Sequence, residues 1–536
     1  MQDLILVVGA GTMGAGIAYV AARGGYNVEL IDSDPAALER ALARIAKDAA
    51  RAGDDAVLAR VVTRQALPDS TAAVIAIEAV PERMDLKRTI FAALDRSLAP
   101  DAVLATNTSS LSVTELARNT PAPQRVLGLH FFNPPAAMKL VEIVETAMSS
   151  DAAFDRASAF VERIGKIGVA CADTPGFIVN RVARPYYLQA MRALEREVAS
   201  MEELDALARG VGFRLGPFEL MDLIGIDVNL AVSESVYERL DADRLEPRPV
   251  QRELVAAGRL GRKTGSGFYS YENGNYARLD LVAGTPANFE EYVAVTGFGM
   301  LADELALALE PKCPRLQRIL NDEMLDDLDA DVTVVIDAGD GFSDRTEILI
   351  ELDQRLDRAT VIFADAYVTD ISALAARVRY PERIVGYGVL GLLDTQQVVE
   401  VVAAEASDDE ALALAQECFE AIGKAVVIVE DRPGLFLGRA VGGIVNEAVT
   451  AVAEDVALPD DIDRAMELGV NYPRGPIAWG REIGGARIKR ILQRLAQDEG
   501  KEFAPHRALR MLDAADDEAS NPIEEAAPDP MNLLGG

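Results

Sequence analysis

The sequence predicts an α/β protein built twice over: a doubly wound sheet followed by an α-helical domain, then a reduced copy of that pair. Three observations predict it. Short apolar runs alternate with helical patterns between residues 4 and 144, as in a mostly parallel sheet covered by helices on both faces. A glycine-rich turn, GAGTMGAG, lies between the first apolar run and the first helix. Residues far apart in the chain match at one constant separation.

The apolar runs are LILVV (4–8), VELI (28–31), VIAI (74–77), VLA (103–105), VLGL (126–129) and VEIV (141–144). At CADTPGFIVNR (171–181) the character changes. Thr174 suits a helix N-cap and Pro175 the first helical position. Residues 176–240 then show helical periodicity without strand runs, and GRKTGSGFYSYENG (261–274) closes the helical part. The expected domains are 1–173 (α/β), 174–273 (helical) and a linker at 274–293.

Arg125 and Arg383 are 258 residues apart. The same separation pairs Gly128 with Gly386, Glu142 with Glu400, Asp173 with Asp431, Pro175-Gly176 with Pro433-Gly434 and Arg181 with Arg439. So many matches in one register mark a duplication. The second copy opens at TGFGMLADELALAL (296–309), where Gly297 and Gly299 echo Gly9 and Gly11. About thirty residues are missing before its next apolar run, and any counterpart of Asp32 is expected to go with them. The reduced α/β unit is placed at 294–430 and the second helical domain at 431–512. The tail 513–536 carries seven acidic residues and no basic one, so it is expected to be disordered.

A length of 536 residues is too great for one core. The net charge of −33 opposes nucleic acid and anionic membranes as partners. Residues 4–22 are uncharged, but Asp3 precedes them where a leader would carry basic residues. No other stretch reaches membrane length, so a soluble protein is expected. Three scattered cysteines fit the reducing cytoplasm and neither a disulfide framework nor a metal cluster.

The turn reads Gly9-x-Gly11-x-x-Gly14. Gly9 permits the tight bend, Gly11 lets a pyrophosphate approach, and Gly14 lets helix and strand pack closely. Asp32 ends the second strand at the spacing that holds a ribose 2′-hydroxyl, which favours NAD over NADP. Strand, glycines, helix, strand and acid in this order define a Rossmann-type NAD-binding domain.

His130 is one of two histidines and ends a strand pattern, where such sheets bind ligands. Glu142 falls in the next strand and is in position to orient an imidazole base; a surface carboxylate is the alternative. ATNTSS (105–110) ends another strand, and its groups suit substrate or nicotinamide; N-capping by Ser110 or Ser112 is the alternative. For Glu82 and Lys87 the alternative is a solvated helix face, and for Asn180 a buried polar cap.

VVGAGTMGAG, NTSSL, GLHFFNP, MKLVEIV, DTPGFIVNR, GPFELMD and GRKTGSGFYSY together resemble the 3-hydroxyacyl-CoA dehydrogenases over residues 3–273. The remainder resembles the long bacterial members that add a reduced Rossmann-like unit and a second helical domain. The resemblance implies oxidation of (S)-3-hydroxyacyl-CoA to 3-oxoacyl-CoA, on 3-hydroxybutyryl- or 3-hydroxyadipyl-type substrates in β-oxidation or phenylacetate catabolism. His130 would take the hydroxyl proton, Glu142 hold the imidazole, Ser109 bond the substrate oxygen and Asn180 place the substrate. NAD would lie against Gly9, Gly11, Thr12, Met13, Gly14, Asp32, Glu82, Lys87, Asn107, Ser109, Asn133 and Lys263, with Lys87 also near the CoA side. Residues 44–66 are shorter and richer in alanine than the family's CoA-contacting arm, so none is assigned. The alternatives are a dehydrogenase of a non-CoA 3-hydroxy acid and a non-enzymatic NAD-binding protein.

In the second copy His130 becomes Gly388, Ser109 becomes Tyr367 and Asn180 becomes Gly438; only Glu400 is kept. A structural role is expected for it. Its helical domain would pair with the first as a pseudo-dimer within one chain, which permits a monomer and is compatible with a homodimer.

Overall fold

The computed structural model describes residues 3–339, 345–391 and 393–513. Most of the acidic tail, 514–536, lies outside the described residues. The first sheet has eight strands: β1 (Leu4–Val8), β2 (Asn27–Ile31), β3 (Val61–Arg64), β4 (Ala73–Glu78), β5 (Val103–Thr106), β6 (Val126–Phe131), β7 (Leu140–Glu145) and β8 (Ile167–Ala172). Their order is β3-β2-β1-β4-β5-β6-β7-β8. All pairs are parallel except β6 with β7, which run antiparallel. That reversal places His130 directly opposite Glu142.

Alternate residues of β1 feed opposite cores. Leu6 and Val8 join one apolar cluster, and Ile5 and Val7 another. The helix Thr12–Arg23 follows the glycine turn and buries nine residues against the sheet. Helix Pro35–Ala52 begins at Asp34, whose carboxylate accepts from the Ala36 N–H, and ends at Gly53 in the left-handed region. β3 and β8 are the two edge strands; β3 (VVTR) is half polar, and β8 (IGVACA) is apolar but only partly buried.

Thr174 does not cap the next helix. Gly176 and Phe177 have φ of +80° and +49°, so the chain makes a turn there and the helix begins at Val179. Helices Val179–Val182, Arg184–Glu195, Met201–Gly210, Pro217–Ile224 and Ile226–Leu240 follow. Residues 277–291 form no regular element, yet Gly284, Ala287 and Phe289 donate backbone hydrogen bonds to residues of the second half.

The second sheet has β9 (Tyr292–Thr296), β10 (Arg315–Ile319), β11 (Val334–Asp337), β12 (Val361–Asp365), β13 (Ile384–Gly388), β14 (Val398–Ala403) and β15 (Ala425–Glu430). The order β10-β9-β11-β12-β13-β14-β15 repeats the first sheet without β3. The deletion therefore spares the strand that ends at the ribose acid. β10 pairs with β9 as β2 pairs with β1, and Leu320 follows β10 where Asp32 follows β2. The acid is replaced, not deleted; the lost segment is the helix after it and the edge strand.

Helices of both halves share the largest apolar cluster. Helix Leu437–Ala453 packs along Arg184–Glu195. At their contact Glu447 accepts from Arg181 (2.7 Å) and Arg244 (2.8 Å). Burial acts to raise the Glu447 carboxyl, but the two arginines outweigh it and hold it below the ordinary value.

Candidate active site

The glycine turn separates packing from ligand approach. A Cβ on Gly9 would lie 2.5 Å from the Ala79 carbonyl oxygen, and one on Gly14 1.8 Å from the Gly9 oxygen. A Cβ on Gly11 would meet nothing within 4 Å. Gly9 and Gly14 are thus required by the fold, whereas Gly11 keeps clear the space above the helix N-terminus. The first turn of that helix contains no acidic residue, as suits an anionic ligand.

That space is an open cavity of about 780 Å³ lined by Gly9, Gly11, Thr12, Met13, Asp32 and Pro81, among others. Asp32 is fixed at its rim: its two carboxylate oxygens accept from the Ala10 N–H (2.7 Å) and the Asp34 N–H (2.9 Å). Open floor, donor-rich helix end and fixed carboxylate fit the pyrophosphate and ribose of NAD.

Beyond the cavity, β4 and β5 end in a buried polar network. The Glu78 carboxylate receives the Lys87 ammonium at 2.7 and 2.9 Å and the Thr106 hydroxyl at 2.7 Å. Lys87 is 1% exposed and also lies 3.1 Å from Glu82, so it is not on a solvated helix face. Glu82 accepts from the Thr108 hydroxyl and from the N–H groups of Ser109 (3.0 Å) and Ser110 (3.2 Å). Burial acts to raise the Glu82 carboxyl, but Lys87 and Thr108 outweigh it and hold it below its usual range. The 107–110 loop is thereby pinned. Ser112, not Ser110, caps the helix Val113–Arg118. The Asn107 side-chain oxygen accepts from the Phe131 N–H at 2.9 Å, linking β5 to the strand that carries the histidine.

His130 Nδ1 and Glu142 Oε2 are 2.6 Å apart. Glu142 is fully buried, and its Oε1 accepts from the N–H groups of Ile178 (3.0 Å) and Val179 (2.9 Å). One carboxylate thus orients the imidazole and caps the helix entering the second layer. The ring sits between Phe132 and Phe177, with centroids at 4.7 and 5.7 Å. With Nδ1 committed to Glu142, Nε2 is the nitrogen left to act.

The remaining predicted positions are less convergent. Asn180 is partly buried in the helix beginning at Val179, and its carbonyl accepts from Arg184. Asn133 is exposed beside a cis peptide to Pro134. Lys263 pairs with Asp227 in the helical part. Thr106 and Thr108 belong to the ATNTSS stretch but bond Glu78 and Glu82, and Glu78 had no sequence signal of its own. The second copy holds one for Glu78: Asp337 ends the matching strand and pairs with Arg345, which stands 258 residues after Lys87.

The second copy fills its site with its own side chains. The Tyr367 hydroxyl donates to Glu400 at 2.7 Å, in the place of the imidazole. A Cβ on Gly388 would lie 2.8 Å from the Tyr367 ring, and one on Gly438 3.0 Å from it. The three replacements are one packing solution: the tyrosine ring occupies the volume of the lost serine, histidine and asparagine side chains. Among the described residues no group of three or more His, Cys, Asp or Glu could hold a metal ion, and no helix is long and apolar enough to cross a membrane.

Comparison with known proteins gives the same duplicated plan. The family model "3-hydroxyacyl-CoA dehydrogenase, NAD binding domain" matches residues 4–174 and again 293–432. The model "3-hydroxyacyl-CoA dehydrogenase, C-terminal domain" matches 176–271 and 434–520. The 3-hydroxyadipyl-CoA dehydrogenase of Escherichia coli K12 is 37% identical over 94% of this chain and 96% of its own length. The crystal structure of 3-hydroxybutyryl-CoA dehydrogenase from Escherichia coli K12 superposes with a TM-score of 0.77 and 36% identity, covering 95% of this chain and 98% of that one. The human mitochondrial hydroxyacyl-coenzyme A dehydrogenase is 39% identical over half of this chain and 91% of its own length. With both family domains matched twice in the order the sheets and helices repeat, this chain belongs to the 3-hydroxyacyl-CoA dehydrogenase family.

Proposed function

We propose that this chain oxidises the 3-hydroxyl of (S)-3-hydroxyacyl-CoA at one site, in the first copy, with His130 as general base. The observation that carries this reading is the 2.6 Å contact between His130 Nδ1 and a fully buried Glu142. It leaves Nε2 to take the hydroxyl proton. A secondary alcohol is a very weak acid, and losing hydride while keeping the proton would leave a costly oxocarbenium, so a base near its working pH is needed. NAD, bound over Gly11 and Asp32, supplies the hydride acceptor. Glu142 stabilises the imidazolium that forms. Ser109, beside Asn107 on the pinned loop, bonds the substrate oxygen, and Asn180 helps place the acyl group. Glu82 serves the cofactor side through this loop. Thr12, Met13, Asn133 and Lys263 contribute cofactor contacts. Lys87 acts through Glu82 and Glu78.

The reverse reaction uses imidazolium as the acid. The substrate is of the 3-hydroxybutyryl- or 3-hydroxyadipyl-CoA type, named in the two Escherichia coli relatives and suited to β-oxidation or phenylacetate breakdown in the cytoplasm. The Arg181–Glu447 contact supports a pseudo-dimer of helical domains within the chain. Offering acetoacetyl-CoA and free acetoacetate with NADH, and following NADH absorbance, tests the reading. Thioester reduction with no turnover of the free acid is expected. Turnover of the free acid alone would make the chain a dehydrogenase of non-CoA acids.

A further inference from the structure

We propose that Arg239 receives the distal carboxylate of a dicarboxylic 3-hydroxyacyl thioester, and so sets the acyl preference of this site. The inference rests on the dehydrogenase reading above and adds the acyl class. Arg239 lies on helix Ile226–Leu240 and is exposed. Its guanidinium donates to the carbonyl of Ser110, the residue next to Ser109. A guanidinium carries five N–H donors. Among the described residues no carboxylate lies within ion-pair distance of it, in a chain of net charge −33.

The helix face supports this. Val228, Val232, Ser235 and Arg239 recur at helical spacing and share one stripe. The duplicate shows where such a stripe points. Gly225 (φ +102°) precedes this helix, and Gly484 (φ +91°) precedes helix Gly485–Glu499 in the second half. Val228 thus corresponds to Arg487 and Ser235 to Arg494. Arg487 reaches Asp365 (2.6 Å) and the Val389 carbonyl (2.6 Å), at the ends of β12 and β13; Arg494 reaches Asp370 (2.9 Å). Asp365 and Val389 correspond to Asn107 and Phe131, and Asp370 to Ser112.

In the second half, then, arginines of this stripe hold carboxylates that belong to the chain and close the cleft. In the first half the sheet-end acids are gone, as Asn107 and Ser112, and the upper stripe is apolar, with Val228 48% exposed. Its cation lies at the far end and waits for a carboxylate from the ligand. The chain dimensions agree: the C6 carboxyl of an extended six-carbon acyl group lies about 4 Å beyond C3, roughly one residue spacing. A C3 oxygen at Ser109 brings that carboxyl to Ser110 and Arg239, with the intervening methylenes along the valines.

The test compares kcat/KM for 3-hydroxyadipyl-CoA and 3-hydroxybutyryl-CoA with NAD, in the whole chain and in Arg239→Gln and Arg239→Lys. The adipyl-to-butyryl ratio of Arg239→Gln is expected to fall about tenfold or more, the size of a lost charge-assisted hydrogen bond. Arg239→Lys is expected to keep more of the ratio, and it serves alone if the Gln variant fails to fold, an expected fall of at least threefold then deciding. A ratio in Arg239→Gln within fivefold of the unmodified chain, or an unmodified chain that oxidises only the butyryl substrate, overturns the inference. An unmodified chain that oxidises neither thioester overturns the dehydrogenase reading itself.

Discussion

Replacing Glu142 by Gln is nearly isosteric and reaches the mechanism through a tautomer. The carboxylate serves three donors: Ile178 N–H and Val179 N–H at Oε1, and the imidazole at Oε2, 2.6 Å away. A glutamine keeps one oxygen, which stays with the two backbone N–H groups that cap the helix. Its amide N–H₂ then faces Nδ1. The neutral imidazole must accept there and carry its proton on Nε2, which blocks the nitrogen that should act as base. The lost charge-assisted bond amounts to about 1.5–3 kcal/mol, or roughly 10- to 150-fold in rate. Blocking the base adds about 10²-fold or more. The kcat for 3-hydroxyacyl-CoA oxidation is therefore expected to fall by about 10³- to 10⁴-fold, while NADH affinity, read by fluorescence titration, stays within about twofold, since Glu142 does not line the cofactor cavity. A kcat within threefold of the unmodified enzyme would refute the role of the pair.

The second copy supplies further predictions. Burial pushes the Glu400 carboxyl up to about 7 from 4.5, against the pull of the Tyr367 hydroxyl. The unfolded chain loses this proton near 4.5 and the folded chain near 7, so the folded state binds more protons between them. This group therefore removes about 3 kcal/mol of stability as pH rises through that window, and Glu400→Gln should flatten the slope in urea unfolding by that amount, leaving the share of the raised Asp205 and Asp463 carboxyls. Gly388→Ala would set a methyl 2.8 Å from the Tyr367 ring; a loss of about 1–3 kcal/mol is expected by denaturant melt, with kcat unchanged. In the first copy, Asp32→Ala should lower the NAD-to-NADP ratio of kcat/KM by about tenfold or more, measured with each cofactor in turn. Calorimetric titration should find one NADH per chain, because Leu320 and the Tyr367 ring replace the second copy's site.

Much of this was legible from spacing. The 258-residue offset exposed the duplication, and it paired Tyr367 with Ser109 and Gly388 with His130. What it hid was that these changes are one event, because the tyrosine fills the histidine's volume only in three dimensions. The central strands were readable as apolar runs since both faces are covered. β3 was not, since this edge strand is half polar (VVTR), and β8 was not, since its small residues (IGVACA) carry little strand propensity. Thr174-Pro175 looked like a helix start, but the positive φ of Gly176 and Phe177 delays it, and the capping acceptor is Glu142, from a strand over thirty residues earlier. For Lys87 a solvated helix face was the alternative to a cofactor contact, yet it turns inward to Glu78, an acid whose burial only the sheet reveals. Arg239 carries no local signal; its nearness to Ser110 comes from the docking of two domains.

The most direct measurement is turnover of a 3-hydroxyacyl-CoA by His130→Gln, with NADH binding measured on the same sample. If the first copy holds the only base, activity is lost while NADH still binds with stoichiometry one. Turnover within a few fold of the unmodified chain would contradict both the assignment of His130 and the inactivity of the second copy.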